Sequence, residues 1–242
     1  MKPVYTFLLR KHFNSKRFYL FLVILLVLAF RVVTECNSIT RQEIITVYYG
    51  IINDKSMQFF IIPFFLLFSE SALSLFDNHM VLLRYHSAGL WWNEKICVVS
   101  CLAIICTLMI NTIFFGCVIK NGQINVINMG FIGFIVLGIA MQITGFLIIG
   151  TFYNLITLQL NKYMSFLITM LVIFLFDAVT SVFQVNFVTL QEYMALTYKW
   201  HLGFYTSVAG DIILVLRLFF IFIILYLLGF LLSQSKDYYW SV

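Results

Sequence analysis

Long apolar runs separated by short polar connections make up most of this chain. Six runs recur, at 18–34, 57–76, 96–119, 129–156, 163–183 and 211–232. Each is about 17–28 residues long, near the roughly 20 that an α-helix needs to cross the hydrocarbon of a bilayer. Inside lipid every backbone amide must find its partner within the segment, so runs of this length predict helices. The fourth is long enough to tilt or to extend past the hydrocarbon. Only Pro3 and Pro63 could interrupt a helix, so the spans are predicted to be nearly unbroken. The pattern therefore predicts an all-α, polytopic integral membrane protein with six transmembrane helices, forming a single domain over 1–242.

Composition supports the pattern. Hydrophobic residues are 62% of the chain and charged residues 10%, where a soluble domain carries about 25% charge. Mean hydropathy is +1.00. The net charge of +5 could suggest a nucleic-acid partner, but the cations sit at the ends of the apolar runs rather than in a soluble module. Placed there, they set orientation. With the N-terminus inside, the inner side holds Lys2, Arg10, Lys11, Lys16, Arg17, Arg84, Lys95, Lys162 and Lys236. The outer side holds Arg41, Lys55, Lys120 and Lys199. The asymmetry predicts an N-in, C-in topology.

Residues 1–17 are basic and amphipathic, with Val4, Phe7 and Leu8 able to share one face. They predict an N-terminal helix lying in the interface. No small-residue cleavage site follows Phe30, so the first run is read as a retained span rather than a signal peptide. The outer connection 35–56 carries an apolar stripe (Ile44, Ile45, Val47, Tyr48, Ile51) that fits a short interfacial helix. Asn121-Gly122 predicts a turn. The outer segment 184–210 is aromatic and amphipathic, through Phe187, Tyr193, Tyr198, Trp200, Phe204 and Tyr205. It is predicted to lie in the outer interface or to dip into the leaflet.

The inner connection from Asp77 to Lys95 carries charges of both signs. A short helix is predicted from near Asp77 to near Gly89, where glycine suits a helix stop. Trp91 and Trp92 are then predicted to sit at the headgroup level. With Asp77, His79, Arg84, Tyr85, His86 and Lys95, the segment could receive another protein; the alternative is an ordinary interfacial turn. The layout resembles the membrane subunits of type-2 ABC exporters, especially small permeases for bacteriocin or antimicrobial-peptide export and immunity. The likeness rests on the basic lead-in, on the turn carrying Arg84-Tyr85, Ser87, Trp91-Trp92 and Lys95, and on the aromatic outer segment before the last span. It implies that Asp77–Lys95 is a coupling segment docking into an ATPase subunit, that the outer segment forms short re-entrant helices, and that a second permease completes the pathway. No G-x-x-x-x-G-K-[ST] run occurs, and no glycine precedes a lysine, so the chain has no P-loop of its own. No cofactor is expected in this chain; ATP and Mg would sit on the partner ATPase.

Several polar residues fall within the spans. Asp177 and Arg217 lie about six residues from the outer ends of spans five and six, so about 9 Å deep at 1.5 Å per residue. Equal depth and opposite charge suggest a pair, either pinning the two spans or gating the outer mouth. Glu70 is expected to reach the headgroups or to pair with a cytoplasmic cation such as Arg84. Arg31, near the outer end of span one, can snorkel. Asn111, Gln142 and Asn154 are expected to bond between helices, or else to line a pathway. Gly130, Gly133, Gly138, Ala140, Gly145 and Gly150 in span four permit close helix approach.

Catalytic chemistry finds no support. His12, His79, His86 and His201 fit no zinc motif, and Asp77, His79 and His86 read as a solvated helix face rather than a metal site. Cys97, Cys101, Cys106 and Cys117 fall in one apolar run and read as small apolar residues. No G-x-S-x-G occurs. An intramembrane peptidase would need two carboxylates at matched depth, and Glu70 and Asp177 lie toward opposite leaflets. The leading expectation is thus a non-enzymatic permease moving an amphipathic peptide or lipid-like cargo, without nucleic acid. A membrane scaffold or sensor partner is the first alternative and a peptidase the second.

Overall fold

Why each run becomes a helix is visible at its ends. The computed structural model describes Tyr19, Val23, 48–49, 52–77, Tyr85, 87–120, 129–183, 188–196 and 208–235, and all regular structure there is helical. Helix α1 is Asp54–Leu73, α2 Ala88–Lys120, α3 Met129–Thr157, α4 Lys162–Phe183, α5 Leu190–Ala195 and α6 Val208–Ser235. All but α5 are long and apolar enough to cross a membrane, which makes five among the described residues. The basic segment 1–17 lies outside the described residues, as does the first predicted span apart from Tyr19 and Val23.

Asn53 caps α1, its side chain accepting from the Ser56 amide at 2.7 Å. Asn161 does the same for α4 through the Met164 amide at 2.9 Å. Pro63 sits inside α1 rather than at its start. Proline lacks an N–H and its ring crowds the carbonyl four residues back. The chain answers with a π-helical stretch, Met57–Ile61, immediately before it, so that the Ile62 amide bonds to the Met57 carbonyl. Helix α5 carries a full capping box: Thr189 and Glu192 satisfy each other's backbone amides. It stops at Leu196, whose φ of 55° is left-handed. That conformation strains a residue with a Cβ. Leu196 is nonetheless fully buried, and its carbonyl accepts from the Tyr49 hydroxyl at 2.7 Å.

The long helices alternate in direction. One end of the bundle gathers Asp77, the start of α2, the end of α3 and Lys162; it is called the near end below. The far end holds Tyr48, the start of α1 and α5. Helix α3 is the hub and touches each of the other five. It is 61% buried over its most apolar stretch, against 11% for α6. Three of its glycines explain the close approach. A Cβ at Gly138 would meet the Tyr48 hydroxyl at 2.8 Å, one at Gly150 would meet Val99 at 2.6 Å, and one at Gly145 would overlap Met194. Gly133 faces open space, so it takes no part in this packing.

In lipid, apolar burial gives helices little reason to associate, and packing and hydrogen bonds decide. One bonded chain crosses the far half of the bundle. Asn111 of α2 donates to Gln142 of α3 at 2.8 Å, and Gln142 donates to the Tyr48 hydroxyl at 3.1 Å. All three residues are buried. The inter-helix role expected of Asn111 and Gln142 is thus realised. Asn154 differs: its amide bonds to the Gly150 carbonyl of its own helix at 3.0 Å. Gln142→Leu should lower bundle stability by about 1–2 kcal/mol, read as a lower thermal midpoint in detergent. An unchanged midpoint would mean the chain of bonds is idle.

Candidate functional site

The near end concentrates the charges. Helix α1 runs into a turn at 74–77, and Asp77 Oδ1 accepts from Lys95 Nζ at 2.7 Å. Lys95 is 2% exposed, and its ammonium also lies 4.3 Å from the Trp91 ring centre. Glu70, one turn before the end of α1, lies 3.0 Å from Lys162 Nζ, at the start of α4. The contact has ion-pair distance but not hydrogen-bond angles, since Glu70 Oε1 accepts no hydrogen bond. These two pairs border a cavity of about 370 Å³ that Tyr153 and Asn154 of α3 complete. Asn154 Oδ1 is buried there without a protein partner.

Most of the helix expected over 77–89 lies outside the described residues. Asp77 belongs to the turn, and Ser87 caps α2 by accepting from the Leu90 amide at 3.3 Å. Gly89 therefore falls in the first turn of a membrane helix instead of ending a short one. Its small size serves contact: a Cβ would meet the Phe230 ring of α6 at 2.8 Å. Trp91 and Trp92 are both buried. Trp91 donates to the Phe76 carbonyl at 3.3 Å and Trp92 to the Tyr226 carbonyl of α6 at 3.2 Å. Tyr226 returns a hydrogen bond to Asn93 at 2.6 Å. His79, Arg84 and His86 lie outside the described residues.

Tyr85 closes the connection by donating to Glu94 Oε2 at 2.6 Å. Burial raises the Tyr85 pKa first, and the bond to Glu94 and its charge raise it further. The neutral phenol is thus the form the fold prefers. Its contribution to stability is complete below the ordinary tyrosine value of 10.0 and is lost as pH climbs above it toward the raised folded value. Glu94→Gln should bring the tyrosinate absorbance of Tyr85 in at lower pH than in the parent. Identical titrations, with Tyr85→Phe as the blank, would count against the bond.

The structure does not bring Asp177 and Arg217 together. Asp177 accepts from Gln58 of α1 at 3.4 Å, and among the described residues neither ion pair includes Arg217, which is exposed on α6. Helices α4 and α6 are successive long helices among the described residues, with the short α5 between them in sequence, but scarcely touch in space. Glu70 takes Lys162 rather than a headgroup. Glu94, Tyr226 and Gly229 were not legible as site residues. The last two stand out only as a hydroxyl and a missing side chain in an otherwise aliphatic and aromatic run. Among the described residues no group of three His, Cys, Asp or Glu could hold a metal.

The described side chains at this end fasten the helices to one another. Asp77–Lys95 ties the turn to α2, Glu70–Lys162 ties α1 to α4, and Trp92 with Tyr226 ties α2 to α6. Compared with protein-family models, with curated proteins and with solved structures, the chain matches none.

Proposed function

We propose that this chain is the membrane-spanning permease subunit of an ATP-driven exporter of the type-2 ABC class, seated in a bacterial cytoplasmic membrane with its near end in the cytosol. The observation that carries the reading is the fastening of the 77–95 segment. A push on that segment passes through Lys95 and Trp92 into α2 and α6, and the turn it follows is continuous with α1. Such linkage is what a segment driven by a separate engine requires. ATP and Mg belong to that partner ATPase, and a second permease, the same chain or a sister, completes the path. The walls are aliphatic and aromatic with few fixed charges, which suits an amphipathic peptide or lipid-like cargo. Removal of a membrane-active peptide, as in bacteriocin immunity, is the specific version the family resemblance favours.

The test is copurification. The tagged chain taken from its native membrane should bring down a P-loop ATPase, and Arg84→Glu, or replacement of 79–84 by a Gly-Ser linker of equal length, should lose it while the bundle stays folded. A complex that survives both changes overturns the reading. Orientation has its own check. A cysteine at Ser87, which is exposed, should react with a membrane-impermeant maleimide only in opened cells.

A further inference from the structure

A second cavity lies at the middle of the bundle, where α4 and α6 part. It is an apolar groove of about 390 Å³ between α3, α4 and α6, with α5 at its far end. Phe152, Val172, Phe176, Leu218 and Ile221 supply its walls. That volume is at the small end of ligand sites, which run from about 300 to 1,000 Å³. It suits one acyl chain better than a bulky two-chain lipid.

Two polar groups mark its far end. Gln191 lines the groove at 2% exposure, and its Nε2 has no hydrogen-bond partner among the described residues. A buried donor left unpaired costs about 1–3 kcal/mol. Arg217 lies one helical turn from Ile221 on α6, on the side toward α5, and its charge is felt at Tyr193, which also lines the groove. It is exposed on α6, and no ion pair among the described residues includes it, although a guanidinium facing lipid calls for an anionic partner. Glu192 closes the capping box with Thr189 and Asp177 accepts from Gln58, and among the described residues neither forms an ion pair with Arg217. An apolar slot with a buried amide donor that has no partner among the described residues, and with a guanidinium one helical turn beyond its lining, is complementary to an amphiphile with an anionic head.

We propose that the groove binds a single-chain anionic amphiphile from the far leaflet, its acyl chain between α3, α4 and α6 and its headgroup held by Arg217 and Gln191. The site depends on placement in a bilayer and not on coupling to an ATPase, so it can fail or stand separately from the transport reading.

The probe is palmitic acid carrying a photoactivatable diazirine in its chain, with the matching alcohol as the uncharged control, applied to the full-length protein in neutral-lipid nanodiscs. Labelling should map to groove residues of α3 and α4 and yield to excess palmitate. Val172→Trp, which fills the groove, should cut it about tenfold. Leu171→Trp, on the 56% exposed face of the same helix, should leave it unchanged. Ile221→Trp fills the slot from the opposite wall and serves if Val172→Trp does not fold. Arg217→Gln and Gln191→Leu should each reduce labelling by the acid several-fold and leave labelling by the alcohol alone. Equal labelling in groove-filling and Leu171→Trp proteins would mean only bulk lipid contact and would overturn the site. Indifference to both head-end substitutions would overturn the anionic head.

Discussion

Gly229→Ala is expected to destabilise the bundle by about 3 kcal/mol, an unusually large effect for one methyl group. A Cβ at 229 would fall within the Trp92 ring system. The indole cannot swing aside, because it is fully buried and its N–H is bonded to the Tyr226 carbonyl one turn earlier on the same helix as Gly229. Either α6 moves away from α2 or Trp92 gives up its bond. Overpacking of this kind costs about 1–3 kcal/mol, occasionally more. Gly145→Ala is the informative contrast. Its Cβ would also overlap a neighbour, but that neighbour is Met194, an unbranched thioether that can re-route. Its cost should be about 1 kcal/mol. Thermal midpoints in detergent compare the two directly, and Trp92→Leu in the Gly229→Ala background should recover part of the loss. A Gly229→Ala protein as stable as the parent would show that α2 and α6 do not meet as described.

At the near end, Asp77→Ala should destabilise more than Lys95→Met, although the two side chains form one ion pair. Lys95 is buried, whereas the Asp77 side chain is 52% exposed. Removing Asp77 strands an ammonium against the Trp91 ring. Breaking a fully buried pair costs about 3–5 kcal/mol, and partial solvent screening at Asp77 brings the expectation down to about 2 kcal/mol. Removing Lys95 leaves a carboxylate that water can reach, and methionine fills most of the vacated volume, so the expected loss is within about 1 kcal/mol. The double variant should match Lys95→Met alone. The reverse order of the two single variants would place the buried charge on the wrong partner.

How legible these features were follows from what kind of information each needs. The spans after the first were readable because length and hydropathy are local, and the observed helices differ chiefly at their ends. The largest discrepancy is at α2, which begins at Ala88 rather than 96. Glu94 and Lys95 looked too polar for a membrane helix, but each has a partner that removes the penalty. Gly89 was misjudged for a related reason. A glycine reads as a stop only when nothing packs on it, and α6, more than a hundred residues away, packs on this one. Asp177 and Arg217 were matched by depth and charge, yet depth along an axis says nothing about rotation around it.

That difference marks the division for the whole protein. The chain's residues alone settle the helical character of the described residues, their five helices long and apolar enough to cross a membrane and the absence of a G-x-x-x-x-G-K-[ST] run, because each depends on hydropathy, length or a contiguous motif. The partners of Glu70, Lys95, Trp92, Gln142 and Gly229 were decided only in three dimensions. A helix apolar on every side carries no stripe to announce which face will be covered, and in lipid the choice falls to side-chain fit and to a few hydrogen bonds between distant segments.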